Sequence, residues 1–373
     1  MSLPTFDPGF STDDLTAVFS AESTVAAMME FEAALALALA DAGVAPRDQA
    51  ERVAEACRSG VSDPDTILAS TWEKGTPIIA LRERITATVG AEAGRWFHFG
   101  ATTQDTVDTA HMIQARTAIG LIEQSLEASA RRLRDLTVDY RDQPQLGRTF
   151  LQDATPTTFG FRTATWLDAV LGHIVDLRRM SEGLVFQLGG PVGRLDDYGE
   201  AASEVLTAMS QRLALSIPDI SWHSNRSRVR DLAQTVGRLS ATMAKIGSDV
   251  ALLASSGLGE VTVRSGGSSS MPGKKNPIDT IRAIAASKVC SGAVAMLSGG
   301  GHELDRGVGG WHVEWVAWPL VMQSAGAGVE AIAVCLDSLE PDTETMNQRS
   351  TTAPREGRQI DTVLAGFDRI VGG

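Results

Sequence analysis

Residues 229–253, VRDLAQTVGRLSATMAKIGSDVALL, carry the clearest structural pattern in this chain of 373 residues. Apolar side chains recur along the stretch at alternating intervals of three and four residues: Val229, Leu232, Val236, Leu239, Met243, Ile246, Val250 and Leu253. This heptad spacing places one narrow apolar stripe along an α-helix, about 37 Å long at 1.5 Å per residue. The stretch therefore predicts a long helix in a bundle. Its stripe is longer than one small subunit is expected to cover, which favours a shared bundle in an oligomer.

Long helical patterns also dominate the rest of the chain. They lie roughly at 22–42, 104–140, 156–187, 278–298 and 313–338. Alternating strand patterns are nearly absent. The sequence therefore predicts an all-α fold with a central bundle of long, near-parallel helices.

The composition limits the partners that the protein can have. A net charge of −13 argues against nucleic acid and anionic membrane surfaces. We expect no apolar stretch of the roughly 20 residues that a membrane span needs. The three separated cysteines, Cys57, Cys290 and Cys335, fit reduced thiols in a cytoplasm better than disulfides. No metal-ligand spacing and no dinucleotide fingerprint is present, so neither a metal nor a cofactor is expected.

Three polar loops interrupt the helical pattern, at 98–105, 147–156 and 266–277. Each is predicted to open a long helix, the second with Thr155 as N-cap and the third with Asn276 as N-cap before Pro277. A helix N-terminus carries about half a positive charge and several free N–H donors. Three such loops could surround a polycarboxylate if they meet in space.

The third loop, GGSSSMPGKKNP, is the most specific of the three. Glycines and serines supply N–H groups and hydroxyls, and Lys274 and Lys275 supply positive charge in a chain with only five lysines. It is not the phosphate-binding G-x-x-x-x-G-K-[ST] loop, because the spacing from Gly267 to Gly273 is one residue too long and Lys275 occupies the hydroxyl position. The loop is therefore predicted to bind an anion at a helix N-terminus.

Residues 267–277 match in full the G-S-S-x-M-P-x-K-x-N-P signature of the fumarase/aspartase/adenylosuccinate lyase superfamily, which the chain resembles from about residue 6 to residue 337. Within it, FDPGF at 6–10, GATTQD at 100–105 and GGWHVEW at 309–315 resemble the cycloisomerase branch that lactonises carboxymuconates. The resemblance implies a smaller N-terminal helical domain (1–103), a central helical bundle domain (104–340) and a short remnant of the C-terminal domain (341–373). It also implies a homotetramer whose sites are shared between three subunits.

The resemblance also implies roles for particular residues. Ser268 would exchange a proton with the substrate, and Lys274 and Asn276 would stabilise charge on the adjacent carboxylate. The remaining substrate carboxylates would be held by Thr102, Thr103, Gln104, Arg148, Thr149 and Gln152, with Arg306, Arg226 and His312 as second-rank candidates. The substrate would be a small polycarboxylate.

Several of these residues also have a purely structural interpretation. Asn276 could act only as an N-cap, and Thr102 or Thr103 could act only as the cap of the helix at 104–140. Trp311, Trp315 and Trp318 lie at helical spacing and are better explained by packing than by substrate stacking. His111 and His173 fall inside predicted helices, and we interpret both as core or surface residues.

Phe150 is a departure from the superfamily pattern, which usually places a histidine after Gly-Arg-Thr to protonate the leaving group. In lactonisation the nucleophile is a carboxylate of the substrate, which with a pKa near 4 attacks and leaves unprotonated at neutral pH. An apolar residue here therefore favours a cycloisomerase. Two alternatives stay open: a fumarate-releasing lyase in which His98 or His312 supplies the acid, and a non-catalytic structural protein.

Overall fold

A computed structural model describes residues 7–299, 302–350, 352 and 357–372. In these ranges the chain forms short 3-10 helices at Asp7–Phe10 and Asp196–Ala201 and the following α-helices: α1 Asp13–Val18, α2 Ala21–Asp41, α3 Arg47–Arg58, α4 Pro64–Ala69, α5 Thr71–Lys74, α6 Pro77–Gly94, α7 Thr103–Asp139, α8 Phe159–Glu182, α9 Ala202–Leu213, α10 Ser227–Leu253, α11 Ile278–Ser298, α12 Gly310–Asp337, α13 Thr343–Arg349 and α14 Arg358–Ile370. The strands are β1 Pro144–Thr149, β2 Gln152–Thr158, β3 Val261–Thr262 and β4 Glu340–Pro341. The predicted all-α class is confirmed.

The long helices α7, α8, α10, α11 and α12 pack against one another as the central bundle. All eight heptad residues of α10 are buried, which confirms the predicted stripe. The stripe is covered by neighbouring helices of the same chain, α8, α11 and α12. The expectation that a second subunit is needed to cover it was therefore wrong, because one chain supplies enough long helices.

Smaller helices pack on both sides of this bundle. α2 is the best buried of them, with Phe31, Leu35 and Leu39 fully inside, and it contacts α3, α7 and α9. α3 packs in turn on α6. The C-terminal helix α14 packs on α8, and α13 lies against β1.

The second polar loop folds differently from its prediction. Instead of opening a helix directly, it forms an antiparallel hairpin in which β1 pairs with β2. The residue before a proline prefers extended backbone, and Pro156 pairs across the hairpin with Leu146. The N-cap of α8 is Thr158, whose hydroxyl accepts the N–H of Phe161 at 3.0 Å, so the predicted cap Thr155 was wrong.

The third loop also departs from its predicted cap. Pro277, not Asn276, occupies the N-cap position of α11. Asn276 exchanges two backbone hydrogen bonds with Gly266, at 2.8 and 3.0 Å, and its side-chain amide donates to the carbonyl of Gly267 at 2.9 Å. Because the side chain bonds back into the loop, the interpretation of Asn276 as only a helix cap was wrong.

Three helices contradict the expected absence of long apolar stretches. α2, α11 and α12 each have the length and composition that would allow a membrane span. Two of them are mostly covered by other helices of the fold, whereas α11 has only 39% of its most apolar window buried. The apolar character of α2 and α12 is therefore explained by packing, and α11 presents an exposed apolar face.

Candidate active site

The first loop leads into the N-terminus of α7. Thr102 is the N-cap, and its N–H donates to the carboxylate of Asp105 at 2.9 Å. The hydroxyls of Thr103 and Thr76 lie 2.7 Å apart. Gln104 is fully buried and donates to the backbone carbonyl of His223 at 2.7 Å. Gln104 is therefore a structural tether in this chain, and only Thr102 and Thr103 of the predicted trio are partly exposed.

Asp105 connects this loop to two distant segments. Besides Thr102, its buried carboxylate accepts the N–H of Gly190 at 2.9 Å and contacts the ring of His223 at 2.6 Å. Arg306 then donates to the carbonyl of the same Gly190 at 3.1 Å. One carboxylate thus fixes the loop that holds Thr102 relative to the segment that holds Arg306. The three-residue spacing from Thr102 to Asp105 is a local pattern typical of a helix N-terminus. No local pattern indicates that Asp105 also contacts His223.

His98, the first residue of the first loop, contacts the buried carboxylate of Glu32 on α2. Its Nδ1 lies 2.7 Å from Glu32, and Thr106 donates to the same carboxylate oxygen at 2.8 Å. Burial lowers the pKa of His98, but the attraction and hydrogen bond of Glu32 outweigh it, so the pKa is raised above its usual value of 6.5. The pairing was not predicted because 66 residues separate the partners.

Arg226 is occupied by two carboxylates in the bundle. Its guanidinium donates to both oxygens of Asp108, at 2.6 and 2.8 Å, and also to Glu314. Trp311 donates its indole N–H to Asp108 at 2.9 Å. Arg226 is only 2% exposed, so it joins α7, α10 and α12 and offers no free charge to a substrate.

His312 lies in an aromatic cluster that adjoins this network through Trp311. Its ring is 4.7 Å from that of Trp315, 5.2 Å from that of Trp311 and 5.7 Å from that of Trp72. Its Nδ1 is buried and has no hydrogen-bond partner among the described residues. Trp311 and Trp318 are buried, in line with packing, whereas Trp315 is only partly covered.

The hairpin of β1 and β2 carries the residues of the second loop. Arg148 forms an ion pair with both oxygens of Glu260, a fully buried carboxylate that also accepts from Gln145 at 2.8 Å. Thr149 and Gln152 are exposed at the hairpin end. Phe150 at its tip is 99% exposed and adopts a left-handed φ of 52°. Arg148 therefore anchors the hairpin, and the ring of Phe150 is exposed to solvent in the single chain.

The third loop projects from the start of α11. Its base is closed by the paired backbones of Gly266 and Asn276, and Ser268 Oγ accepts the N–H of Met271 at 3.2 Å. Ser268 is partly exposed, whereas Lys274 is exposed and has no ion pair within the described ranges. The loop thus presents a hydroxyl and a cation that have few competing partners in the chain.

The three loops do not meet within one chain. The first loop lies at the N-terminal end of α7, beside the start of α10 and α12. The hairpin lies at the opposite end, where its Arg148 bonds to Glu260 in the segment that follows α10. The third loop leads from that segment into α11, which packs on α10. The 27 residues of α10 correspond to about 40 Å at 1.5 Å per residue. The expectation that the loops surround one substrate therefore fails for a single chain.

Comparison with known proteins places the chain in a family. A model for the lyase family matches residues 9–290, and the chain belongs to this family of the fumarase/aspartase superfamily. A 3-carboxy-cis,cis-muconate cycloisomerase of Pseudomonas aeruginosa is 37% identical over 92% of this chain and 77% of its own. The trans-aconitate decarboxylase 1 of Mycosarcoma maydis is 32% identical over 90% of this chain and 70% of its own. The crystal structure of the 3-carboxy-cis,cis-muconate lactonizing enzyme from Pseudomonas putida superimposes with a TM-score of 0.86 at 32% identity, over 92% of this chain and 79% of that one.

The pair of His98 and Glu32 predicts a pH-dependent contribution to stability. Because the pKa of His98 is raised in the folded protein, the stabilisation is present in full below about pH 6.5 and is lost as the pH rises through the raised value. We expect the gap in urea unfolding midpoint between the parent protein and His98→Asn to narrow from pH 6 to pH 9.

His173→Asn is the matched control, because the contribution of His173 to stability is expected to change with pH in the opposite direction. Burial lowers the pKa of His173, so its contribution is present above about pH 6.5 and is lost as the pH falls. A gap for His98→Asn that stays constant over the same pH range would contradict the assigned pairing.

Proposed function

We propose that the chain is a cycloisomerase that converts 3-carboxy-cis,cis-muconate into 4-carboxymuconolactone, in the breakdown of aromatic compounds. The observation that carries the proposal is the third loop, which presents both the hydroxyl of Ser268 and the exposed ammonium of Lys274, a group without an ion pair among the described residues. The names of the relatives at 37% and 32% identity support the substrate. We further propose that the protein works in the cytoplasm, to which three buried free thiols are suited.

The reaction is an addition within one molecule. A carboxylate oxygen of the substrate forms a C–O bond with one carbon of a double bond, and the electron pair of that double bond moves toward the carboxylate on the neighbouring carbon. Ser268 would deliver the proton that this neighbouring carbon needs, and Lys274 and Asn276 would stabilise the negative charge that develops beside it. Stabilisation of that developing charge is where most of the rate acceleration is expected.

The other carboxylates of the substrate need groups that hold them in position. We assign this role to Thr102, Thr103, Thr149 and Gln152, which are at least partly exposed, with Arg306 and His312 as further candidates. Arg148 keeps a supporting role in the proposal, since its charge is already balanced by Glu260. Gln104 would act through the backbone of His223 rather than on the substrate.

The proposed site requires more than one copy of the chain. A second chain that runs antiparallel to the first would bring the N-terminal end of its α7 to the end that carries Ser268. α11 supports such an assembly, because Ile278, Ile281 and Met296 on it are 44–50% exposed. We therefore propose a homo-oligomer, a tetramer by resemblance to the superfamily, with small polycarboxylates and no nucleic acid or membrane as partners.

Ser268→Ala should abolish turnover while leaving the fold intact. Among the described residues the hydroxyl takes part in one hydrogen bond, which it accepts from Met271, so its loss removes the proton donor and little else. We expect the loss of diene absorbance from 3-carboxymuconate to slow by at least a hundredfold. Release of fumarate from succinyl adducts, or decarboxylation of trans-aconitate, by the parent protein in place of lactonisation would overturn the proposed function.

Mixing two inactive variants tests the shared site. The Ser268→Ala variant keeps an intact first loop, and the Thr103→Val variant keeps an intact third loop. In a mixed oligomer some sites therefore combine the intact first loop of one variant with the intact third loop of the other. Activity should return after the two proteins are unfolded together and refolded.

The control mixes Ser268→Ala with Lys274→Ala. Both changes lie on the third loop, so no mixed site is complete and no activity should return. Recovery of the same activity in both mixtures would contradict a site assembled from opposite ends of different chains. Recovery of activity in neither mixture, when the variants fold, would also contradict it.

Phe150→His tests whether the reaction needs a general acid at the hairpin tip. If the leaving group is a carboxylate, histidine should not raise kcat and should lower it by placing a polar ring against the substrate. Phe150→Leu is the matched control and should cost less than about tenfold, because it loosens the contact without removing a catalytic group. Faster lactonisation by Phe150→His would mean that the lack of a general acid at this position limits the rate of the parent protein.

A further inference from the structure

A second cavity lies away from the third loop, between the N-terminal helices and the bundle. Its volume is about 510 Å³, and its walls come from α1, α2, α4, α5, the start of α6, α7 and α12. Trp72 and Trp315 form one side, and His111, Gln114 and Gln323 form part of the other. The volume falls within the range of cavities that hold small molecules.

The polar side chains of this cavity have unused hydrogen-bonding capacity. His111 is 8% and Gln323 is 9% exposed, and neither has a hydrogen-bond partner in the described part of the chain. Gln114 donates to the carbonyl of Val18 at 2.7 Å and to Thr24 at 3.0 Å, which leaves its own carbonyl oxygen available. Polar side chains this deeply buried are normally hydrogen-bonded, so these three indicate a ligand with complementary groups.

The charge of the cavity restricts that ligand. Among the described lining residues no lysine or arginine occurs, and the only carboxylate is the exposed Asp65. Burial lowers the pKa of His111 to about 4, so its ring is neutral near pH 7. An anion entering here would lose its hydration without gaining a countercharge. The polycarboxylate of the proposed reaction is therefore excluded from this cavity.

We propose that this cavity is a separate binding site for a small, uncharged, planar molecule that both donates and accepts hydrogen bonds. The indoles of Trp72 and Trp315, whose centres are 6.0 Å apart, pack on one face of it, and the side chains of His111, Gln114 and Gln323 bind its polar edge. An aromatic carboxamide is the simplest molecule with this complement. The site does not depend on the proposed reaction, because no residue of the third loop lines it.

The cavity also adjoins the first loop. Pro77 lines it, and the neighbouring Thr76 lies 2.7 Å from Thr103 through their hydroxyls. Trp72 and Trp315, which line the cavity, pack on the ring of His312. A ligand held here therefore contacts the neighbours of two residues to which substrate binding is assigned.

Three probes of the same shape and different charge test the proposal on the full-length protein. Benzamide, benzoate and benzylammonium are titrated while tryptophan fluorescence is recorded, since Trp72 at the mouth is 75% exposed. We expect saturable binding of benzamide at least tenfold tighter than that of either charged probe. No saturable binding of benzamide, or binding of a charged probe as tight as that of benzamide, would overturn the proposal.

Two variants and a control locate the bound probe. Gln323→Leu should weaken benzamide binding at least fivefold, because its amide is then absent from the polar edge. If Gln323→Leu folds poorly, Trp72→Leu tests the same cavity, because its position is exposed. Benzamide affinity is then measured by calorimetry and should also be weakened. Gln234→Leu, an equivalent change on the exposed face of α10, should leave binding unchanged. Benzamide binding that neither cavity variant weakens would place the probe elsewhere and overturn the assignment.

Discussion

The rigid length of the central helices is the constraint on which the rest of this protein depends. A helix holds its two ends at a fixed distance of about 1.5 Å per residue, and the packed stripe of α10 prevents that helix from bending or folding back. The first loop and the Ser268 loop are therefore kept near opposite ends of a helix that is about 40 Å long. The shared site that we propose follows from this separation, because one chain by itself does not bring the two loops together.

Buried ion pairs fix the geometry at each end of the bundle. Arg226 between Asp108 and Glu314 joins three helices at one end, and Arg148 with Glu260 joins the hairpin to the chain after α10 at the other. Removing one partner of such a pair typically costs about 3–5 kcal/mol, because a charge is left buried alone. These arginines are therefore better understood as supports of the site than as free cations for a substrate. The third loop, by contrast, presents two exposed lysines, Lys274 and Lys275, that form no ion pair among the described residues.

Local sequence patterns predicted the helices well and the loop ends poorly. The observed Ala21–Asp41, Ile278–Ser298 and Gly310–Asp337 agree with their predicted ranges within three residues. The caps at Thr155 and Asn276 failed because tertiary pairing competed with the local signal: Pro156 pairs in a hairpin, and Asn276 pairs with Gly266. The roles of Ser268, Lys274 and Asn276 remain predictions, as do the domain boundaries at 103 and 340.

The sequence by itself determined the all-α class, the buried stripe of α10 and the three polar loops, because helical periodicity and loop chemistry are encoded in neighbouring residues. Only the tertiary structure decided which loops share an end of the bundle and which charges are already paired. It also revealed the pairs of His98 with Glu32 and of His223 with Asp105, and the cavity beneath Trp72. The two pairs join residues that are 66 and 118 positions apart, and such contacts depend on how the helices pack rather than on any local pattern.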